Sequence, residues 1–161
     1  MAHRGRVVRA LGRRAVALHN GIYRRSDGRR GGQVKGIPVL LITTTGRRTG
    51  QERTVPICFT RDDDRFVVVG TNGGADVAPA WSHNLRSRPA ARVQVGADVF
   101  DVIATETTGR EYDELWALFV ARHPALAAYE AKTTRRIPLW QLQPVPRTET
   151  AASRAATHAT P

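Results

Sequence analysis

The residues with most chemical capacity lie in three short segments. The first, residues 43–56 (TTTGRRTGQERTVP), combines hydroxyl side chains, two glycines and the arginines Arg47, Arg48 and Arg53. Glycines let backbone N–H groups approach an anion, and arginines offer paired donors for phosphate or carboxylate, so this run reads as an anion cradle. The competing reading is a solvated basic turn. A P-loop would require a Gly-Lys-Ser/Thr ending and a following helix, and a dinucleotide fingerprint would require GxGxxG opening a helix; the segment has neither. The second segment is Thr71, Asn72, Gly73, Gly74 and Ala75. Its paired glycines permit either a plain turn or a close approach of backbone to a flat ligand. In the third, Ala80, Trp81, Ser82, His83 and Asn84 offer an indole, an imidazole and an amide, each with a structural role as its alternative. The single cysteine, Cys58, excludes an internal disulfide, and no Cys/His spacing resembles a metal site.

Elements must hold these segments in place. Residues 38–45 (PVLLITTT), 54–60 (TVPICFT) and 66–71 (FVVVGT) are short β-branched runs bounded by Gly, Asp or Arg, and they read as strands. The acidic run 62–64 makes a hairpin turn between the second and third. Residues 91–95 and 99–105 flank Gly96, Ala97 and Asp98 as another hairpin, and 136–143 (RIPLWQLQ) is a sixth strand. A helix is expected over 79–87, with Pro79 in its first turn. A longer one is expected over 108–123, opened by a Thr108/Glu111 capping box and buried along Tyr112, Leu115, Trp116, Phe119 and Val120. Residues 125–132 extend as a short helix. Short, closely spaced strands with few helices predict a mainly β fold, a small barrel with helices packed on it.

Charge separates the chain into parts. The 161 residues carry a formal net charge of +11. Residues 1–36 hold nine arginines and Lys35 against Asp27 alone, while the other 125 residues are close to neutral. Nucleic-acid binding through this arm is therefore an alternative function, weakened because the basicity is confined to the arm and is almost all arginine. Within the arm, Val7, Val8, Leu11, Ala15, Leu18 and Ile22 recur at helical steps with arginines beside them. Such a helix either docks on a membrane surface or partner, or lays its stripe on its own domain; the second is favoured because the stripe is thin. Asp27-Gly28 and Gly31-Gly32 then read as a flexible linker. The expected organisation is an arm and linker over 1–32, a barrel domain over 33–146 and a small polar disordered tail over 147–161. No apolar run approaches the ~20 residues of a membrane span, and arginines interrupt any signal-peptide core. The chain is expected to be cytoplasmic.

Taken together, TTTGRRTGQERTVP, VVVGTNGGA (67–75), PAWSHNL (79–85), ARVQVG (91–96), LFVARHP (118–124) and Tyr129 followed by RRIPLWQLQP (135–144) fall in one order. That order resembles the deazaflavin-dependent nitroreductases, also described as F420H2-dependent quinone reductases, over about residues 35–146. The resemblance implies a split β-barrel of the flavin-reductase type that binds coenzyme F420, an 8-hydroxy-5-deazaflavin, and passes a hydride to a quinone, nitroaromatic or enone. It implies that Thr43, Arg47, Arg48, Thr49, Gly50 and Gln51, with Arg53 beside them, hold the phospholactyl and oligoglutamate portion. Thr71, Asn72, Gly73, Gly74, Ala80, Trp81 and Asn84 would line the deazaflavin and ribityl chain. On the acceptor side the matching positions are Cys58, His123, Leu126 and Tyr129, and of these only Tyr129 keeps the phenol that nitroimidazole-reducing members place there. Tyr129 is the expected acceptor contact, and either it or solvent donates the proton to the reduced product. Glu52 stands where the family often has proline. An FMN-using reductase of the same fold is the nearest alternative; its cofactor has a shorter anionic tail, so three arginines favour F420. A stacked small aromatic or quinone acceptor, and peripheral contact of the arm with anionic membrane, complete the expectations.

Overall fold

In a computed structural model of the chain, residues 2–146 are described. The expected tail over 147–161 lies outside them. Helix α1 (Ala2–Arg25) is followed by strands β1 (Gln33–Val34), β2 (Ile37–Thr45), β3 (Glu52–Asp62) and β4 (Arg65–Val69). Next come α2 (Ala80–Ser87), β5 (Ala90–Val95), β6 (Asp98–Glu106), α3 (Gly109–Arg122), α4 (Ala127–Glu130) and β7 (Leu139–Pro144). All pairings are antiparallel. The order β2-β3-β4-β7-β6-β5 closes on itself through β2–β5 pairing, so six strands form a barrel, and β1 adds a short hairpin to β2.

Alternation of side chains decides what fills the barrel and what coats it. Leu40, Ile42, Phe66, Val68, Trp140 and Leu142 belong to the interior cluster, which α2 plugs with Trp81 and Leu85. Trp140 Nε1 donates to Ser82 Oγ at 2.9 Å, which satisfies both buried polar groups. The opposite parity, Val67, Val69 and Leu139, forms a second cluster outside the wall with Tyr112, Leu115 and Phe119 of α3. Of the α3 stripe, Tyr112, Leu115 and Phe119 are buried, with Trp116 and Val120 partly so. Its capping box is not formed: Thr108 makes no side-chain cap bond, and Glu111 instead accepts from Gln141 Nε2 at 3.0 Å. A tertiary partner on β7 takes the carboxylate that local spacing assigned to the helix start.

The arm also departs from expectation. Leu18 is 67% and Ile22 42% exposed, so these stripe residues do not lie on the domain. The docking face is the neighbouring one. Tyr23, buried against Val39 and Leu41, donates its hydroxyl to Val39 O and accepts the Gly96 N–H, each at 3.0 Å. Asn20 Nδ2 donates to Thr54 O at 3.0 Å. One buried aromatic with a satisfied hydroxyl outweighs a stripe of small aliphatics. The glycine segment is an ordered turn and not a flexible linker. Gly28 N–H donates to Tyr23 O, and a Cβ on Gly28 would sit 3.0 Å from the Gly96 Cα, so only glycine allows the turn to press against the β5–β6 hairpin.

Candidate functional site

A cavity of about 790 Å³ opens between the middle of β3, the N-terminus of α2, the β1–β2 hairpin and the segment from the end of α3 into α4. That volume is ordinary for a small-molecule site. Its wall brings together Cys58, Thr71, Asn72, Gly73, Ala80, Trp81, His123, Leu126 and Tyr129 from four separated parts of the chain. Val55, Pro56, Ile57 and Val69 contribute apolar surface. Gly73 has φ +66° and nothing within 4 Å of where a Cβ would stand, so this part of the wall is bare backbone. Gly74 does not line the cavity. It is buried beneath Lys132, whose Cβ would lie 2.8 Å from an added side chain, so its lack of Cβ serves packing.

The 46–51 loop stands beyond α2 and does not line the cavity. Its backbone is folded on itself: Gly46 N–H donates to Gln51 O, Thr49 and Gly50 N–H groups to Gly46 O, and Gln51 N–H to Thr49 Oγ1. The expected cradle of backbone N–H groups is therefore mostly spent within the turn, because a tight hairpin satisfies its own donors first. What the loop offers outward is side chains. The guanidinium groups of Arg47 and Arg48 are exposed and have no hydrogen bond or ion pair among the described residues. Arg53 is turned to Gln51, donating to its Oε1 at 2.8 Å. Thr43 points to the other side of β2, sharing a 2.8 Å hydroxyl contact with Thr54, and lines a smaller groove with Arg24 and Arg92.

Asn84 connects the loop to the cavity. Its Oδ1 accepts the Arg47 N–H at 3.1 Å and its Nδ2 donates to Thr44 Oγ1 at 3.0 Å. Both ends of a buried amide are thus engaged, and the same helix presents Ala80 and Trp81 to the cavity one turn earlier. Arg135, which sequence reasoning missed, fixes the opposite wall. Its guanidinium donates to the carbonyls of Gly70, Thr71 and Ala75 at 2.9–3.0 Å. No local signal marks this role, since the contacts span 60 to 65 positions of sequence. Lys35 and Arg122 also line the cavity without having been anticipated.

Electrostatics around α2 are strongly positive. His83 is held below the usual histidine range by burial and then by the charges of Arg47, Arg86 and Arg135, so it stays neutral near pH 7. His123 is likewise lowered, by burial and by Arg122. Burial pushes the Cys58 thiol up, away from thiolate character, which argues against a nucleophilic role. Tyr129 sits over Gly74 with Lys132 Nζ 5.4 Å from its ring centre. The arrangement holds a largely apolar cavity, the uncompensated guanidinium groups of Arg47 and Arg48 beside it and, among the described residues, no carboxylate in the cavity wall. It can bind a planar ligand with an anionic extension, but it lacks the paired acid and base of a hydrolytic site.

Comparison with known proteins agrees with this geometry. The sequence profile of the family described as F420H(2)-dependent quinone reductase matches residues 15–144. An F420H(2)-dependent quinone reductase of Mycobacterium tuberculosis is 34% identical over 135 residues, covering 81% of this chain and 91% of the relative. Among solved structures, an F420-H2 dependent reductase superposes with a TM-score of 0.61 at 34% identity, covering 66% of this chain and 94% of that one. A second, described as a domain-swapped dimer, reaches 0.63 at 30% identity and covers 87% and 99%. The heme storage protein HutZ of Vibrio cholerae, at 14% identity and 0.52, shares the fold alone.

Proposed function

From the premise that the chain belongs to the F420H(2)-dependent quinone reductases, oxidoreductases that use coenzyme F420, we propose that the 790 Å³ cavity holds the deazaflavin ring beside its acceptor while the 46–51 loop holds the anionic tail. The residues present suit that group. The cavity wall is largely apolar and flat at Trp81, Pro79 and bare Gly73, and Arg47 and Arg48 carry charges that no acid of the described residues answers. When bound, the reduced deazaflavin supplies a hydride from its C5 to the acceptor, a chemistry the side chains cannot provide.

The chain's own residues bind and orient. Asn84 acts behind the site, setting the loop relative to Trp81, so its part in cofactor binding is positioning. Arg135 holds Thr71 and the Asn72–Gly74 turn against the ring position. Arg47 and Arg48 pair with phosphodiester and carboxylate groups; Thr49, Gly50 and Gln51 give the loop its tight form, and Arg53 braces it through Gln51. Cys58, His123, Leu126 and Tyr129 shape the acceptor end, and Tyr129 is placed to donate a proton as the acceptor is reduced. Neutral His123 and the raised Cys58 thiol add no charge of their own at that end. Apolar walls exclude water from the reacting face.

The observation that supports this reading is the Asn84 bracket, which ties the arginine loop to the helix that presents Ala80 and Trp81 to the cavity. Anaerobic oxidation of F420H2 with a panel of quinones and nitroaromatics tests it, alongside fluorescence titration with F420 and FMN. Turnover with a quinone and tighter binding of F420 are expected. Tighter FMN binding would overturn the cofactor assignment to this site, and absence of F420 binding would overturn the whole reading.

The exposed Leu18 and Ile22 on an arginine-rich helix support a further proposal, contact of α1 with an anionic membrane face from which a quinone could be drawn. Co-sedimentation with anionic vesicles, lost on deleting residues 1–25, is the expected result; equal sedimentation of both forms would reject it.

A further inference from the structure

The geometry points to Lys35 and Arg122 as specificity-determining residues that select acceptors carrying a negative charge, such as aryl sulfonates or carboxylates fused to a quinone. This inference rests on the reading of the cavity as the acceptor site. The two cations come from opposite ends of the domain, one on the β1–β2 hairpin and one on the last turn of α3, yet both line the same cavity. Among the described residues, no aspartate or glutamate lines the wall to neutralise them.

Neither cation is placed by a counter-ion. Lys35 and Gly36 occupy the two central positions of a tight turn between Val34 and Ile37, with φ of 51° and 79°. Such a turn matches strand twist only with left-handed residues, for which Asn and Gly are the usual choice, so a lysine in this position is an unusual occupant. Neither Val34 nor Gln33 offers it a carboxylate, and Lys35 has no hydrogen bond or ion pair among the described residues. Arg122 Nη1 donates to Thr60 Oγ1 and to the Arg61 carbonyl at 2.9 Å, both neutral acceptors. Its position is set while its charge stays uncompensated. A charge kept unpaired at a cavity rim favours a ligand of opposite sign, and His123, lowered by burial and then by that same arginine, does not compete as a cation.

The tail loop is a separate bank of charge. Arg47 and Arg48 lie beyond α2 and do not line the cavity, whereas Lys35 and Arg122 do. An anionic substituent on the acceptor therefore meets the second pair and not the first.

The test measures binding of naphthalene-2-sulfonate and its neutral isostere naphthalene-2-sulfonamide to the full chain, with and without oxidised F420, by titration calorimetry. The sulfonate should bind more tightly, and each of Lys35→Asn and Arg122→Gln should reduce that preference by roughly fivefold, with Arg122→Lys restoring it. Asparagine keeps the left-handed turn, so folding of the first variant is protected. In turnover, the ratio of kcat/KM for 1,4-naphthoquinone-2-sulfonate to that for 1,4-naphthoquinone should fall in the same variants; comparing ratios cancels intrinsic reactivity. Equal binding of sulfonate and sulfonamide would overturn the inference. So would a preference unchanged in Lys35→Asn and Arg122→Gln but lost in Arg47→Gln/Arg48→Gln. Failure of neutral 1,4-naphthoquinone to be reduced would instead sink the acceptor-site reading, and the calorimetric comparison distinguishes the two.

Discussion

The side-chain Oδ1 of Asn84 accepts the backbone N–H of Arg47 at 3.1 Å across 37 residues of sequence. Through this bond, and the 3.0 Å bond from Nδ2 to Thr44 Oγ1, one buried amide joins helix α2 to the arginine loop. Asn84→Ala leaves a buried hydroxyl and an N–H without partners, at about 1–3 kcal/mol of stability. The loop then loses its reference to the cavity, so F420 affinity, read by fluorescence quenching, should fall about tenfold. Asn84→Asp keeps an acceptor for Arg47 and should recover part of the loss. Unchanged affinity in a folded Asn84→Ala protein would break the proposed link between loop and cavity.

Arg47 and Arg48 should act on the tail of the cofactor and not on its ring. Arg47→Ala and Arg48→Ala are each expected to weaken F420 binding by roughly fivefold and to flatten its salt dependence. FMN affinity should change less, since fewer anionic groups reach the loop. Equal losses for both cofactors would place the arginines elsewhere.

The positive field around His83 makes cofactor binding pH-dependent. Its folded-state pKa is lowered by burial and by Arg47, Arg86 and Arg135, so it is neutral at pH 7. An anionic tail bound at Arg47 cancels part of that repulsion and raises the histidine back toward about 6.5. Proton uptake then accompanies binding, and affinity should increase as pH falls from 7.5 to about 5.5. The free protein shows the opposite sign: a depressed histidine contributes stability above about 6.5 that is lost as pH falls through its folded value. His83→Gln should remove its share of both trends. Titration calorimetry in buffers of different ionisation enthalpy measures the proton directly.

Tyr23 supplies the docking of α1. Tyr23→Phe retains the ring against Val39 and Leu41 but orphans the Gly96 N–H and the Val39 carbonyl. A loss of about 1–2 kcal/mol follows, a shift of several degrees in Tm. Faster proteolysis over residues 26–33 should accompany it. A protease pattern identical to the parent would show that the helix is held by other contacts.

Tyr129→Phe separates contact from proton donation. The ring should still fill its place beside Lys132, so KM for the quinone should hold while kcat falls about tenfold. Tyr129→Ala should raise KM as well. An unchanged kcat in the phenylalanine variant assigns the proton to solvent.

Much of the barrel was legible because β-branched runs, turn residues and the α3 stripe repeat at periods that only one secondary structure satisfies. Strand positions agree to within a few residues, and the barrel class follows from strands too short and too close for an open α/β sheet. The short β1 strand was not foreseen, since two exposed residues carry no periodic signal. The capping box was misread because Glu111 found Gln141, a partner about 30 residues away. Similarly, the arm's stripe was visible, but which face docks was settled by a single tyrosine whose hydroxyl meets backbone groups of β2 and of the β5–β6 turn.

Residue type and order alone made 43–56 a candidate anion site: three arginines and two glycines between strands offer donors wherever the loop lies. The family resemblance carried by that order groups Thr71 and Trp81 with the cofactor and Cys58, His123 and Tyr129 with the acceptor. Tertiary structure decided which groups of the loop remain available, because a hairpin consumes its own N–H donors and leaves the guanidinium groups. It also decided that Asn84 braces the site from behind, that Arg135 clamps the turn, and that Lys35 and Arg122 share one cavity. Those roles depend on contacts between distant segments, and distance in sequence carries no trace of approach in space.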